Sequence, residues 1–177
     1  MDSVPDLATV IRHTLQGYDA ALICHNGHII NTLVSKYPGS NQKFCHTCGS
    51  PTTFHCSDCR RPIKGVLMSD QAWMVSDGPY IRPSYCPGCG KAYPWIEAKL
   101  QAARELAAEI EGLSADEREL LSKSLDDLIQ VTPRTELAAT RFKKLAAKAP
   151  GNVGEVLKGI VTDVASEAIK KILLGPG

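Results

Sequence analysis

Aromatic residues are scarce in this 177-residue chain, at 6%, and cysteine is confined, with all seven between Cys24 and Cys89. Any core must therefore lean on aliphatic packing. No run of 18 apolar residues occurs, so no membrane-spanning helix is expected. Neither sign of charge prevails, with 20 Lys and Arg against 19 Asp and Glu, which argues against attachment to nucleic acid by bulk charge alone. Low-complexity tracts are missing, and an apolar content of 44% excludes a disordered chain. Residues 1–18 lack a basic segment followed by a long apolar one and do not read as a signal peptide. Leu7, Val10, Ile11 and Leu15 instead recur at helical spacing, which predicts a short N-terminal helix. The expected compartment is the cytoplasm. Thiols stay reduced there, and paired cysteines are metal ligands or redox groups rather than disulfides.

The rest of the chain has two grammars. Residues 19–95 are rich in Cys, Gly, Pro, Thr and His. Their apolar runs are short (Ala20 to Cys24, Ile29 to Val34, Val66 to Met68, Ala72 to Val75). Turn pairs separate them: Asn26-Gly27, Pro38-Gly39, Asp77-Gly78 and Pro87-Gly88. This predicts short strands and hairpins. Residues 96–177 are dominated by Ala, Leu, Glu and Lys and read as a helical bundle. A first helix is predicted from Pro94 to Glu111, and a second behind the capping-box pair Ser114 and Glu117. A third opens at Thr132-Pro133, and the last runs from Asn152 to Leu174. At about 23 residues the last helix would be ~35 Å long, longer than its neighbours could cover. The spare apolar face points to contact with a protein partner or a homo-oligomer through the C-terminal helices; a central helix of a single-chain bundle is the equal alternative. The charges of Glu155, Asp163 and Glu167 against Lys158, Lys170 and Lys171 speak against a membrane surface.

The chemistry lies in the cysteines. Three Cys-x-x-Cys pairs occur, Cys45/Cys48, Cys56/Cys59 and Cys86/Cys89, together with a Cys-x-x-x-His pair, Cys24/His28. Two donors two or three residues apart on a tight turn can face one ion, and glycines such as Gly27, Gly49, Gly88 and Gly90 let the backbone turn. Eight donors fill two tetrahedral zinc sites, so two Zn2+ per chain are expected. His28 is preferred over His25 because His25, directly after Cys24, points away. His13, His46 and His55 are read as solvated or supporting residues. An iron–sulfur cluster suits these gaps less well. A redox dithiol lacks its βαβ context.

The four pairs combine in three ways. Sequential pairing joins Cys24, His28, Cys45 and Cys48, then Cys56, Cys59, Cys86 and Cys89. Its inner gaps of 16 and 26 residues suit zinc ribbons, and it is favoured on loop length. A cross-brace, as in RING-type domains, or an inner–outer arrangement stays open. Cross-bracing would admit a ligase-type role without a catalytic residue.

Four stretches carry a resemblance: Ala21-Leu22-Ile23-Cys24-His25-Asn26-Gly27-His28-Ile29-Ile30-Asn31, Asn41 to Gly49, Cys56 to Gly65 and Tyr85 to Trp95. Together, over about half the chain, these resemble an uncharacterised bacterial zinc-ribbon family known only as a domain of unknown function. The resemblance implies zinc binding in a bacterial cytoplasmic protein and brings no activity.

The expected fold is α+β, a tandem zinc-ribbon module of short β-hairpins followed by a C-terminal α-helical bundle. No His-Glu-x-x-His, P-loop or deaminase pattern is present. All eight donors are spent on closed sites, so a non-enzymatic zinc-binding adaptor or scaffold is expected, with no catalytic residue. Nucleic-acid binding is the alternative. Arg60, Arg61, Lys64, Arg82 and Lys91 cluster in sequence, and Tyr80, Tyr85, Tyr93 and Trp95 could stack on bases. Against it, seven thiolates and two Zn2+ turn the +1 of residues 1–98 into −2.

Overall fold

Short apolar runs between glycine and proline turns do not favour long helices, and among the described residues from Gln16 to Tyr93 there is no α-helix. The computed structural model describes residues 11, 15–68, 79–130, 132–165 and 167–174. Its contacts divide the chain into two compact units, Met1–Trp95 and Ile96–Gly177. The architecture is α+β, small antiparallel sheets in the first unit and helices in the second.

Among its described residues the first unit holds five short strands: β1 (Tyr18–Ala20), β2 (Leu22–Cys24), β3 (Ile29–Asn31), β4 (Thr52–Thr53) and β5 (Lys64–Leu67). β1 pairs with β5, and β2 lies between β3 and β4, all antiparallel. Ile11, Leu15, Ala20, Leu22 and Val34 form a small core. Most of the expected N-terminal helix lies outside the described residues, as do Ala72 to Val75, Asp77-Gly78 and His13. Asp19 is fully buried, a feature the sequence does not announce. Its carboxylate accepts from the backbone N–H of Ala20 (2.7 Å), Ser35 (3.1 Å) and Lys36 (3.0 Å). A buried carboxylate is tolerated where backbone donors replace water, and here it ties Ser35 and Lys36 to β1.

The second unit holds α1 (Pro94–Ala108, starting at its border with the first), α2 (Ala115–Leu128), α3 (Thr135–Ala146), α4 (Val153–Val164) and α5 (Glu167–Leu174). The capping box at α2 is formed, with Ser114 and Glu117 each accepting the other's backbone N–H. α3 begins two residues after Pro133. Thr132 and Thr135 instead close a turn on each other and on the Gln130 carbonyl. Leu121, Leu125 and Leu128 of α2 are buried, as are Phe142 and Leu145 of α3, and the two helices pack together.

The single C-terminal helix expected from Asn152 to Leu174 is two helices. Ala165 leaves helical geometry with ψ 150°, and α3 packs against both α4 and α5, which pack on each other. The reason lies in the apolar phase. Leu157 and Leu173 are both buried, yet sixteen positions at about 100° each place them about 160° apart around a straight helix. One face cannot bury both. The break returns Ile169 and Leu173 to α3, which removes the ~35 Å apolar face on which the length argument rested.

Candidate metal centres

Each knuckle is a short hairpin whose backbone bonds recur. In Cys45-His46-Thr47-Cys48-Gly49, the Gly49 N–H donates to the Cys45 carbonyl at 2.8 Å and the Cys45 N–H to the Ser50 carbonyl at 2.9 Å. In Cys56–Arg61 the same bonds run from Arg60 to Cys56 (3.0 Å) and from Cys56 to Arg61 (2.9 Å). In Cys86–Lys91 they run from Gly90 to Cys86 and from Cys86 to Lys91, both 2.8 Å. One bridge closes each base: Phe44 with Pro51, His55 with Pro62, Tyr85 with Ala92. The residue after the second cysteine has positive φ each time: Gly49 69°, Arg60 63°, Gly90 74°. Glycine accepts that backbone without strain, and arginine does not.

The Cys24/His28 turn is built differently. It joins β2 to β3, with the Gly27 N–H on the Cys24 carbonyl at 2.8 Å and Gly27 at φ 87°. The His28 N–H also donates to Cys24 Sγ at 3.2 Å, and Asn26 Nδ2 to Cys48 Sγ at 3.4 Å.

These turns bring the donors together in sequential order. Cys24, His28, Cys45 and Cys48 form one tetrad and Cys56, Cys59, Cys86 and Cys89 the other, with donor atoms within 4.8 Å of one another. The cross-braced and inner–outer pairings are not the ones formed. In the first tetrad Cys24 Sγ lies 3.8 Å from Cys48 Sγ, and His28 Nδ1 lies 3.5, 3.6 and 3.3 Å from the sulfurs of Cys24, Cys45 and Cys48. In the second, Cys56 and Cys89 sulfurs are 3.7 Å apart and those of Cys59 and Cys86 3.5 Å. A tetrahedral zinc with bonds of about 2.3 Å to sulfur and about 2.05 Å to nitrogen has sulfur–sulfur edges of about 3.8 Å and sulfur–nitrogen edges of about 3.6 Å. Both tetrads therefore have the size of a metal site and fit tandem zinc ribbons. None of the seven cysteines is in a disulfide. Cys24, Cys45, Cys56 and Cys86 are buried, while Cys48, Cys59 and Cys89 are exposed. His25 and His46 are exposed and stand outside both tetrads, and His55 is half-buried outside them.

The crowding shows in the thiols. Burial raises Cys45, but the N–H groups of Thr47 and Cys48 and the neighbouring sulfurs outweigh it and bring the thiol down to about 6. Cys86 comes down to about 7 in the same way, through Gly88 and Cys89. The Lys91 N–H favours ionisation of Cys89, yet burial and the sulfurs of Cys59, Cys56 and Cys86 push it up to about 12. Burial first, and then the Cys48 and Cys45 sulfurs, raise Cys24 despite two backbone donors. Ionising one sulfur penalises the next, and a cation among them removes the penalty for all.

Supporting residues surround both tetrads. Arg61 crosses the second: a Cβ on Gly88 would stand 2.9 Å from Arg61 Cδ and 3.4 Å from Cys59 Sγ. Tyr93 and Trp95 are buried and stacked, 4.7 Å between ring centroids at 16°. Neither ring is open to a nucleic-acid base. Tyr80 is half-buried and donates its hydroxyl to the Lys64 carbonyl at 2.6 Å. Burial, then the charge of Cys86, raises the Tyr93 phenol. Arg82, whose role sequence reading missed, donates Nη1 to the Gly27 carbonyl at 2.9 Å.

A family model described as "Uncharacterized protein conserved in bacteria (DUF2321)" matches residues 17–173, and the chain belongs to that family. No curated protein and no solved structure matches it. No helix among the described residues is long and apolar enough to cross a membrane.

Proposed function

We propose that this DUF2321 member is a non-enzymatic zinc protein, an adaptor whose first unit is held by two structural Zn2+ ions and whose helical unit is an assembly surface. The carrying observation is the size of the tetrads: all four donors of each lie within 4.8 Å of one another, and six of the separations are 3.3 to 3.8 Å where tetrahedral zinc needs about 3.6 to 3.8 Å. Three thiolates and an imidazole hold the first ion and four thiolates the second. Four protein donors per ion leave no position for substrate, unlike a catalytic zinc with three. Bound zinc supplies folding free energy here beside the small core that strands of two to four residues build.

Charge favours this reading over nucleic-acid binding. A divalent ion on four thiolates leaves the second site at −2, and Arg61 lies against it while Arg60 and Lys91 follow its exposed cysteines. Their charges and that of the site offset one another, which weakens the attraction for phosphate. Among the described residues of the helical unit Leu137, Val156 and Leu174 are exposed large apolar side chains, and they support the assembly role. Native mass spectrometry of chain purified without added metal tests the reading. Two zincs per chain are expected; one zinc, or iron in its place, would overturn it. Light scattering on the same sample reads self-association.

A further inference from the structure

Gly27 sits between the first tetrad's Cys24 and His28, and two side chains from far along the chain hold its outer side. A Cβ built on Gly27 would stand 3.0 Å from the Trp95 Cβ and 3.2 Å from Arg82 Cζ and Nε. Arg82 also donates to the Gly27 carbonyl at 2.9 Å. Neither residue is a donor to either tetrad. They flank one hairpin: Trp95 Nε1 donates to the Pro83 carbonyl at 3.1 Å, the Tyr93 N–H to Ser84 at 3.0 Å and the Cys86 N–H to Lys91 at 2.8 Å. The tip of that hairpin is the Cys86/Cys89 knuckle, half of the second tetrad. The grip on the first site is therefore built on a segment whose other end the second site closes.

We propose that the two metal sites are energetically coupled through residues 82–95. Closing the second tetrad orders the hairpin, and Arg82 and Trp95 then fix the Gly27 turn so that Cys24 and His28 face one ion. The inference rests on the reading of both tetrads as metal sites. Arg82 and Trp95 are positioning residues. Trp95 supplies a rigid plate, fully buried and braced by Tyr93. Arg82 supplies a hydrogen bond and a positive charge beside a site whose three thiolates and one divalent ion sum to −1. Outer residues that orient ligands typically change metal affinity ten- to a hundredfold. Coupling between sites is reciprocal, so the first strengthens the second by the same factor.

Chelator-competed Co(II) titration of the full chain tests this, because three-sulfur one-nitrogen and four-sulfur centres differ in their visible bands and are read separately. Cys86→Ser with Cys89→Ser should weaken the first site about tenfold or more. Trp95→Ala should do the same with all eight donors intact, Trp95→Phe should restore most of it, and Arg82→Gln should weaken it where Arg82→Lys does less. In the Trp95→Ala background, removing the second site should cost the first little more. Cys24→Ser with His28→Ala should weaken the second site by the same factor. First-site affinity unchanged in both the cysteine variant and Trp95→Ala overturns the coupling and leaves the metal reading standing. No metal uptake by the wild-type chain overturns both.

Discussion

Arg60 and Gly90 occupy the same place in two matching turns. Each follows the second cysteine of its knuckle, each has positive φ (63° and 74°), and each donates its N–H to the first cysteine's carbonyl, at 3.0 and 2.8 Å. Only the glycine suits that backbone. Arg60→Gly should therefore stabilise the zinc-loaded ribbon unit, and Gly90→Ala, which meets nothing within 4 Å and so suffers from φ alone, should destabilise it. Each effect is on the order of 1 kcal/mol. Denaturant midpoints at fixed zinc activity check the pair, and equal midpoints would refute the strain.

Cys86→Ser removes a buried donor from the second tetrad. Zinc should fall by at least one per chain in native mass spectrometry. The helical unit has its own core of Leu121, Leu125, Phe142 and Leu157, so the far-UV helical signal should persist. Unchanged zinc content would remove Cys86 from the ligand set.

Asp19→Ala strips the acceptor from the N–H groups of Ala20, Ser35 and Lys36. Orphaning donors around a buried carboxylate should cost about 3 kcal/mol of ribbon stability, with Asp19→Asn losing about half as much. Thermal unfolding of the zinc-loaded protein measures it. A loss under about 1 kcal/mol would mean water reaches those donors.

Glu117 accepts from Lys148 and from the Ser114 backbone, and both hold its carboxyl below the ordinary carboxylate value. Its contribution to the helical unit is complete above the ordinary value of 4.5 and is lost as pH falls through its own, lower one. The acid limb of helical stability should therefore flatten in Glu117→Gln. Identical acid limbs in the two proteins would refute the assignment.

Leu157 is fully buried and Val156, its neighbour, is 47% exposed. Leu157→Ala should cost about 3 kcal/mol and Val156→Ala under about 0.5. Reversed magnitudes, read by urea unfolding, would mean that α4 faces the other way.

Local rules carried most of the fold. The cysteine spacing, the change of grammar at Trp95 and the Ser114/Glu117 box all reflect chemistry within a few residues, and the structure groups the cysteines and forms the box. What escaped was tertiary. The Asn152 to Leu174 stretch satisfies helical spacing at every step, and only the slow rotation of its apolar face shows that one helix cannot bury both ends. That rotation was countable in the sequence. The αL state of Arg60 was also within reach, since Arg60 stands where Gly49 and Gly90 stand after their cysteines. Arg82 and Trp95 at Gly27 were not, because no local pattern joins positions so far apart. Which pairs share a tetrad was likewise a matter of long-range closure, on which spacing gave only a preference.

The three knuckles differ in what they enclose: His46 and Thr47, Ser57 and Asp58, Pro87 and Gly88, all exposed. None of the recurring backbone bonds uses those side chains. Lettering and page are thus separate in this fold. At the first two tips mutation can exchange an imidazole for a carboxylate and leave the hairpin beneath it legible; at the third, Gly88 is held small by Arg61. In this chain the first two turn tips are open to new surface chemistry, while the alphabet of turns beneath them is written in backbone alone.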